Sequence, residues 1–578
     1  MDVLRAIRRL HARHGPLIAL RMGSRLQVTV SNRRLAHVAL VQRGAAMADR
    51  LEFASREFLG LEASAITTSS YGPLWRLLRR NFVAEVAHPA RLRLFAPARA
   101  AVLAELTDML RRRDDVDGLG TAAASASIME TFQYTMFSLL VAMCFGEHLH
   151  ERDVRDIAEA QRDLLLYTSK LGVLAVLPAI TTRLFKGRLQ ALLTKCQRLK
   201  DMFMPLIDAR RERKKLGAAA GLHAPLTSAP QDQQTTTTMT LPHSYVDTLL
   251  DIQVNDDGGR ALTDDEMVAM CSEFLNAGTD TTSTALQWIM AELVKNPDIQ
   301  DKLHDEIKAT MATTGLDHIS EDDVNRMPYL KAIVLEGLRC HPPAHMVLPH
   351  ATLEDMELGG YVIPKGTTVN FMVSDMGMDE QAWERPAEFA PESFLPGGDG
   401  EGTDITGMRE IRMMPFGAGR RICPGLNVAT LHLEYFMANM VRAFQWRAAD
   451  GEEVDVDGEK AEFTVVLANP LRARLAPREV ALWDVATFEH LYNSAVECGV
   501  DCSVRWEAQL KLLQRQHYSI AELEEHYTVV SSLVELTILE ISGLQEDLGS
   551  FIMETITVSN QGATVPDLGM PIFVSVVF

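Results

Sequence analysis

The sequence predicts a mainly α protein with a small β region, and three observations carry that expectation. Helical periodicity dominates the long stretch from Pro89 to Leu216, and a helix with its own capping signal runs from Thr263 to about Lys295. Period-two alternation is confined to short pieces, of which Pro16 to Ser31 is the clearest. Between the helical blocks near the end of the patterned region stands Pro415-Phe416-Gly417-Ala418-Gly419-Arg420-Arg421-Ile422-Cys423-Pro424-Gly425, one cysteine in a loop of glycines and arginines that feeds directly into a helix.

Taken in order, Asp2 to His14 places Leu4, Ile7 and Leu10 at helical spacing with Arg5, Arg8, Arg9 and Arg13 around them, which reads either as a solvated basic face or as contact with an anionic membrane surface. Ile18, Leu20 and Met22, then Leu26, Val28 and Val30, flank Gly23-Ser24 as a hairpin. From Ser69 a loop leads through Pro73 into a helix carrying Trp75 and Arg79 four apart on one face. The helical block that follows breaks near Asp114 to Gly120. The longest apolar run, Leu164 to Ile180, is interrupted by Lys170 and fits a buried helix with a turn at Pro178. Residues 217–244 change to Ala, Gly, Pro, Gln and four successive threonines, the composition of a disordered surface loop.

Thr263-Asp264-Asp265-Glu266 is a capping box. The helix it starts would span more than about 40 Å at the usual rise of an α-helix. Ala277-Gly278-Thr279-Asp280-Thr281-Thr282 sits in its middle, where glycine and threonine cost stability, so the stretch predicts a local distortion that Gly278 permits and a Thr281 hydroxyl bonded one turn back. Glu336 and Arg339 stand three apart in a helix ended by His341-Pro342-Pro343, a spacing that by itself suggests only a surface ion pair. Leu348-Pro349-His350 and Gly360 to Thr367 read as a strand and hairpin. The positions Leu426, Ala429, Leu433, Phe436, Met437, Met440 and Phe444 continue a helix beyond the cysteine loop.

A net charge of −20 and a pI near 5.4 argue against a nucleic-acid partner. The cysteines Cys144, Cys196, Cys271, Cys340, Cys423, Cys498 and Cys502 are odd in number and contain no two-residue knuckle, so the chain reads as reduced. There is no uninterrupted apolar run of membrane-spanning length and no cleavable signal. From Glu479 onward 15 acidic and 3 basic side chains supply −12 of the charge, without any catalytic motif.

Phe416, Gly419, Arg421, Cys423 and Gly425 resemble the haem-binding loop of the cytochrome P-450 family, and the wording from Met413 to Gly425 is similar to plant microsomal members, the eighty-nine family among them. The resemblance covers about residues 1–477 as one haem domain, with 478–578 an acidic tail that is either a small appended domain or sequence without a stable fold. It implies the family fold, a long helix over the haem and the cysteine loop beneath. It implies Cys423 as the axial ligand of haem iron, with Phe416 beside it, and Trp75, Arg79, His350 and Arg421 toward the haem carboxylates. Asp280 and Thr281 would organise proton delivery to bound oxygen. Glu336 and Arg339 would form a buried pair behind the loop; the arginine that usually completes it is replaced by Ser393, which predicts an undercompensated Glu336 and poorer haem retention.

The implied activity is a haem-thiolate monooxygenase acting on a lipophilic small molecule, the thiolate favouring O–O cleavage. Electrons would come from NADPH through a flavoprotein reductase docking on Arg79, Arg80, Arg409, Arg412 and Arg420. Two alternatives stand beside it: an O₂-independent haem-thiolate isomerase or dehydratase, and a non-catalytic, poorly haem-loaded product. Microsomal members begin with a membrane anchor and a proline-rich hinge, and this sequence starts just after where both would lie. The implied location is the cytosolic face of the endoplasmic reticulum membrane, or the cytoplasm for a chain without the anchor. Substrate contacts are expected around Arg50 to Ser70, Leu164 to Phe185, Asn276-Ala277, Ala344 to Val347 and Val465 to Leu467.

Overall fold

The computed structural model describes residues 2–22, 25–50, 65–118, 127–169, 186–219, 241–254, 258–314, 318–449 and 451–478. Most of the expected 217–244 loop, the substrate stretches 51–64 and 170–185, and the tail with Cys498 and Cys502 lie outside the described residues. Met1–Ala476 forms one compact unit.

The helix Asp2–His14 and the hairpin Leu17–Met22/Arg25–Val30 open this unit. Leu4 and Ile7 of the helix are buried with Ile18 and Met372, and Arg8 pairs with Asp375 at 2.8 Å. The apolar stripe read from the sequence is therefore consumed inside the fold, and a membrane surface could meet only the basic face. The hairpin joins a four-stranded sheet. Arg25–Val30 runs parallel to Thr368–Phe371, which pairs antiparallel with His350–Ala351, and this register brings His350 opposite Val369.

The long helix is Asp264–Lys295, unbroken, and both hydrogen bonds of the Thr263/Glu266 capping box form. It packs along Ile128–Phe145, a helix long and apolar enough to cross a membrane but buried over most of its length in this core. At their contact a Cβ on Gly278 would come within 2.7 Å of Leu140 Cδ1. Gly278 is thus a close-approach residue: the expected distortion gives way to a continuous helix, because the missing side chain is what lets the two helices touch. Pro73–Glu85, Pro328–Cys340 and Leu426–Ala443 complete the frame of the site. In Pro73–Glu85 the proline occupies the first turn and Trp75, Leu78 and Phe82 share the buried face.

Candidate active site

The cysteine loop is shaped by its own backbone. Gly417 N–H donates to Met414 O at 3.0 Å, Ile422 N–H to Gly419 O at 3.2 Å, and Cys423 N–H to Phe416 O at 2.8 Å. Phe416 packs against the main core. Gly417 and Gly419 have φ of 70° and 71°, and a Cβ at 419 would fall 1.9 Å from the carbonyl oxygen of Leu40. Only glycine fits there, for both reasons. The chain then turns through Gly425 into Leu426–Ala443, placing the sulfur beside a helix start.

Cys423 retains accessible surface although protein atoms surround it. Burial pushes its thiol above the usual range, against the Gly425 N–H and the Arg79 charge that pull it down. The Gly425 N–H and Arg79 do not outweigh burial; a metal bound to the sulfur would displace the proton outright. Among the described residues no group of three His, Cys, Asp or Glu side chains could hold a metal ion. A metal at Cys423 must bring its other ligands with it, as a macrocycle does.

Around the loop four basic side chains crowd together. Arg79 donates to Ile422 O at 2.5 Å, next to the cysteine. Arg79 and Arg421 each set a guanidinium against the ring of Trp75, at 5.4 and 4.3 Å, while the Trp75 indole N–H donates to Ile66 O at 2.9 Å. Arg421 donates to Ala48 O at 2.6 Å, Ile66 O at 3.2 Å and Ser69 O at 2.7 Å. Arg50 donates to Thr67 O and to Leu348 and Pro349 O, each at 2.9 Å. His350 Nδ1 lies 2.8 Å from Met47 O, which fixes the proton on that nitrogen.

These groups repel one another. Burial first, then the neighbouring Arg50, lowers Arg421 to about 9; burial and Arg79 lower Arg50 to about 10; burial, Arg50 and Arg421 together lower His350 to about 3. Asp49 is the carboxylate that offsets part of this for both arginines. Three arginines and a histidine, held by backbone carbonyls and, among the described residues, offset only in part by Asp49, are suited to a ligand carrying carboxylates. The donor set therefore fits a metal macrocycle with acidic side arms.

Asp280 and Thr281 lie on the long helix. Between Val268 and Val294 its accessible positions are 268, 269, 272, 273, 276, 277, 278 and 281, a single stripe with Ala277 the most open. Thr281 Oγ1 donates to Ala277 O at 2.7 Å, as expected, and Thr279 and Ser283 make the same bond one turn back. Asp280 is buried, receives Gln133 Nε2 at 3.0 Å and faces Arg162 at 3.5 Å. Burial raises its carboxyl, Arg162 and Gln133 oppose that, and Glu462 adds to it.

Glu336 and Arg339 form a separate, closed network rather than a surface pair. Arg339 donates to both Glu336 oxygens, at 2.6 and 2.8 Å, and to the carbonyls of Gly377, Pro386 and Glu388. Ala390 N–H adds 2.8 Å to Glu336 Oε1. The anticipated undercompensation is filled by Arg339 and that backbone N–H. Ser393 enters through its main chain, donating to Ala390 O and accepting from Gly400 N–H. Of the arginines expected to form a basic docking face, Arg79 turns inward and Arg412 is held by Asp399 and Ala382 carbonyls over the Trp383 ring. Arg420 remains at the surface beside Tyr71.

Two residues of the site carry no motif. Arg50 appeared in the sequence only as the edge of an apolar stretch, and Glu273 as one polar residue of a long helix. Glu273 does share the stripe of Ala277 and Thr281 at four-residue spacing, which is the signal that could have found it.

Comparison with known proteins agrees with this geometry. The family model described as Cytochrome P450 matches residues 1–475. Cytochrome P450 89A9 of Arabidopsis thaliana is 39% identical over 485 residues, spanning 82% of this chain and 89% of its own. Flavonoid 3'-monooxygenase of the same plant is 29% identical over 477 residues, 81% and 87% of the two chains. A zebra fish cytochrome P450 solved with progesterone aligns with a TM-score of 0.62 at 20% identity, covering 83% of this chain and all of that one. With the cysteine loop, the cation cluster and the long helix in the places described, the chain belongs to the cytochrome P450 family and is an oxidoreductase of the monooxygenase type.

Proposed function

We propose that this chain inserts one oxygen atom from O₂ into a lipophilic small molecule, using electrons passed from NADPH by a flavoprotein reductase at the cytosolic face of the endoplasmic reticulum. The observation that carries the reading is the pairing of one accessible cysteine with a cluster of cations that, among the described residues, Asp49 offsets only in part. Haem held there would supply the activation of O₂, with the Cys423 thiolate donating electron density to the iron.

The protein's own residues do the rest. Cys423 would hold the haem iron through its sulfur, and Phe416 packs the loop against the core. Arg79, Arg421 and His350, with both guanidinium groups against the Trp75 ring, and Arg50 would hold the carboxylates. Thr281 is free to exchange its Ala277 carbonyl for a water. Asp280, whose carboxyl burial pushes above its ordinary range, is steadied by Gln133 and Arg162 and stands next to it. Ala277 and Gly278 on the accessible stripe, with Ala344, Met346 and Val347, offer apolar surface that suits a lipophilic substrate.

Reconstitution with haem, reductase and NADPH tests this. The reduced protein should give the red-shifted carbon-monoxide band of thiolate-ligated haem, and oxygen uptake should depend on NADPH and rise with a substrate found by Soret shift. A chain that gives the band but consumes no oxygen with any Soret-shifting ligand would overturn the monooxygenase reading in favour of an O₂-independent reaction.

A further inference from the structure

A short turn, Ile66–Ser69, is where the cation cluster and the long helix meet. Its carbonyls serve the cluster: Ile66 O accepts from both Trp75 and Arg421, Thr67 O from Arg50, and Ser69 O from Arg421. Its donors go elsewhere. Ile66 N–H and Thr67 N–H donate to the two carboxylate oxygens of Glu273 at 2.7 and 2.6 Å, and the Thr67 hydroxyl donates to the same side chain. Glu273 is 206 residues away in sequence and sits two helical turns before Thr281, on the same stripe. Among the described residues no cation is paired with it directly; Arg421 acts on it only at longer range, across the turn.

A half-buried carboxylate with no salt bridge among the described residues is costly, and three donors from one turn offset the cost. The same arrangement aligns the Ile66 and Thr67 peptides, so their carbonyls point away from the helix toward Trp75, Arg50 and Arg421. We infer that Glu273 is a positioning residue: its carboxylate clamps the Ile66–Ser69 turn to the long helix and thereby holds the cations that grip the haem carboxylates. This rests on the reading that those cations face haem.

The experiment uses the haem-loaded full chain and follows haem loss to an excess of apomyoglobin through the Soret band, with hydrogen exchange of the peptide containing Ile66 and Thr67 as a second readout. Glu273→Gln keeps the volume but replaces one acceptor oxygen by a donor, while Glu273→Asp keeps the charge and loses a methylene. Clamping by charge predicts that Glu273→Gln loses haem roughly ten-fold faster, while Glu273→Asp stays within about three-fold of the parent. Both amides should exchange at least about ten-fold faster in the Gln variant. A packing role predicts the reverse order, since Gln is the better isostere, and that order or unchanged amide exchange overturns the inference.

Arg421→Leu separates the two levels. If it does not speed haem loss, the reading of the cation cluster fails; if it does while Glu273→Gln matches the parent, the clamp alone fails. Should Glu273→Gln not accumulate, Thr67→Val removes the hydroxyl partner, and faster Ile66–Thr67 exchange with faster haem loss supports the clamp, parent-like values overturning it.

Discussion

Two buried arginine systems lie in this protein, and they are built on opposite plans. Arg339 has burial against it, but the bidentate bond and charge of Glu336 more than compensate and its proton is held more tightly than usual. Arg421 is buried as well, among Arg50, Arg79 and His350, and is pushed down to about 9. The first network is complete within the polypeptide. The second is complete only when an anion joins it, and this difference separates a structural part from a binding part more clearly than any motif does.

Removing the carboxylate from the closed network should have the largest effect. Glu336→Gln leaves Arg339 buried with an uncompensated charge, and the protein should lose about 3–5 kcal/mol of stability in urea unfolding whether or not haem is bound. A loss below about 1 kcal/mol would mean the network is not the closed unit described.

The open cluster should reveal itself through pH. His350 is held down at about 3 in the folded chain, while an unfolded histidine titrates near 6.5. Below pH 6.5 the unfolded state binds the extra proton, so stability of the haem-free protein is full above that pH and falls as pH drops toward 3, by about 2–4 kcal/mol. His350→Gln should flatten this slope, and bound haem should weaken it by bringing negative charge. A slope unchanged in the variant would assign the effect to other groups.

Smaller still is the expected effect of Arg79→Leu. Relief of repulsion from Arg50 and Arg421 offsets the lost bond to Ile422 O, so haem-free stability should stay within about 1 kcal/mol while haem loss speeds up roughly ten-fold. Equal losses in both measurements would blur the contrast between the two systems. Smallest is Ser393→Arg. With both Glu336 oxygens already engaged, the carbon-monoxide band per mole of protein should not change, and a clear gain would restore the idea of a weak network.

The sequence made some of this plain and not the rest, for physical reasons. The cysteine loop was legible because most of its geometry is local: the positive φ of Gly417 and Gly419 and the turn at Gly425 act within a few residues of Cys423, whereas the close approach of Gly419 to Leu40 O is not visible in the sequence. The capping box at Thr263 and the hairpin before Ser31 were legible for the same cause. Gly278 was misread because a glycine within a helix can serve either a bend or a neighbour, and only the position of Leu140 decides between them. Arg50 and Glu273 stayed hidden because their partners are backbone groups of a distant turn, and a backbone carbonyl leaves no trace in residue identity. Ser393 was read through the loss of a side chain, whereas the compensation came from a main-chain N–H at Ala390.

One consequence follows from the carbonyls of Met47, Ala48 and Ile66, which hold His350 and Arg421 across separations of 303, 373 and 355 residues. Contacts of such sequence separation form late, after the chain between them has been ordered. On a ribosome the amino-terminal acceptors emerge long before the side chains that need them and must wait through most of synthesis. Haem capture is therefore expected to be a late event in the life of the nascent chain, sensitive to how long those early carbonyls stay out of wrong pairings, so that haem supply and chaperone access at that moment set the yield of active protein.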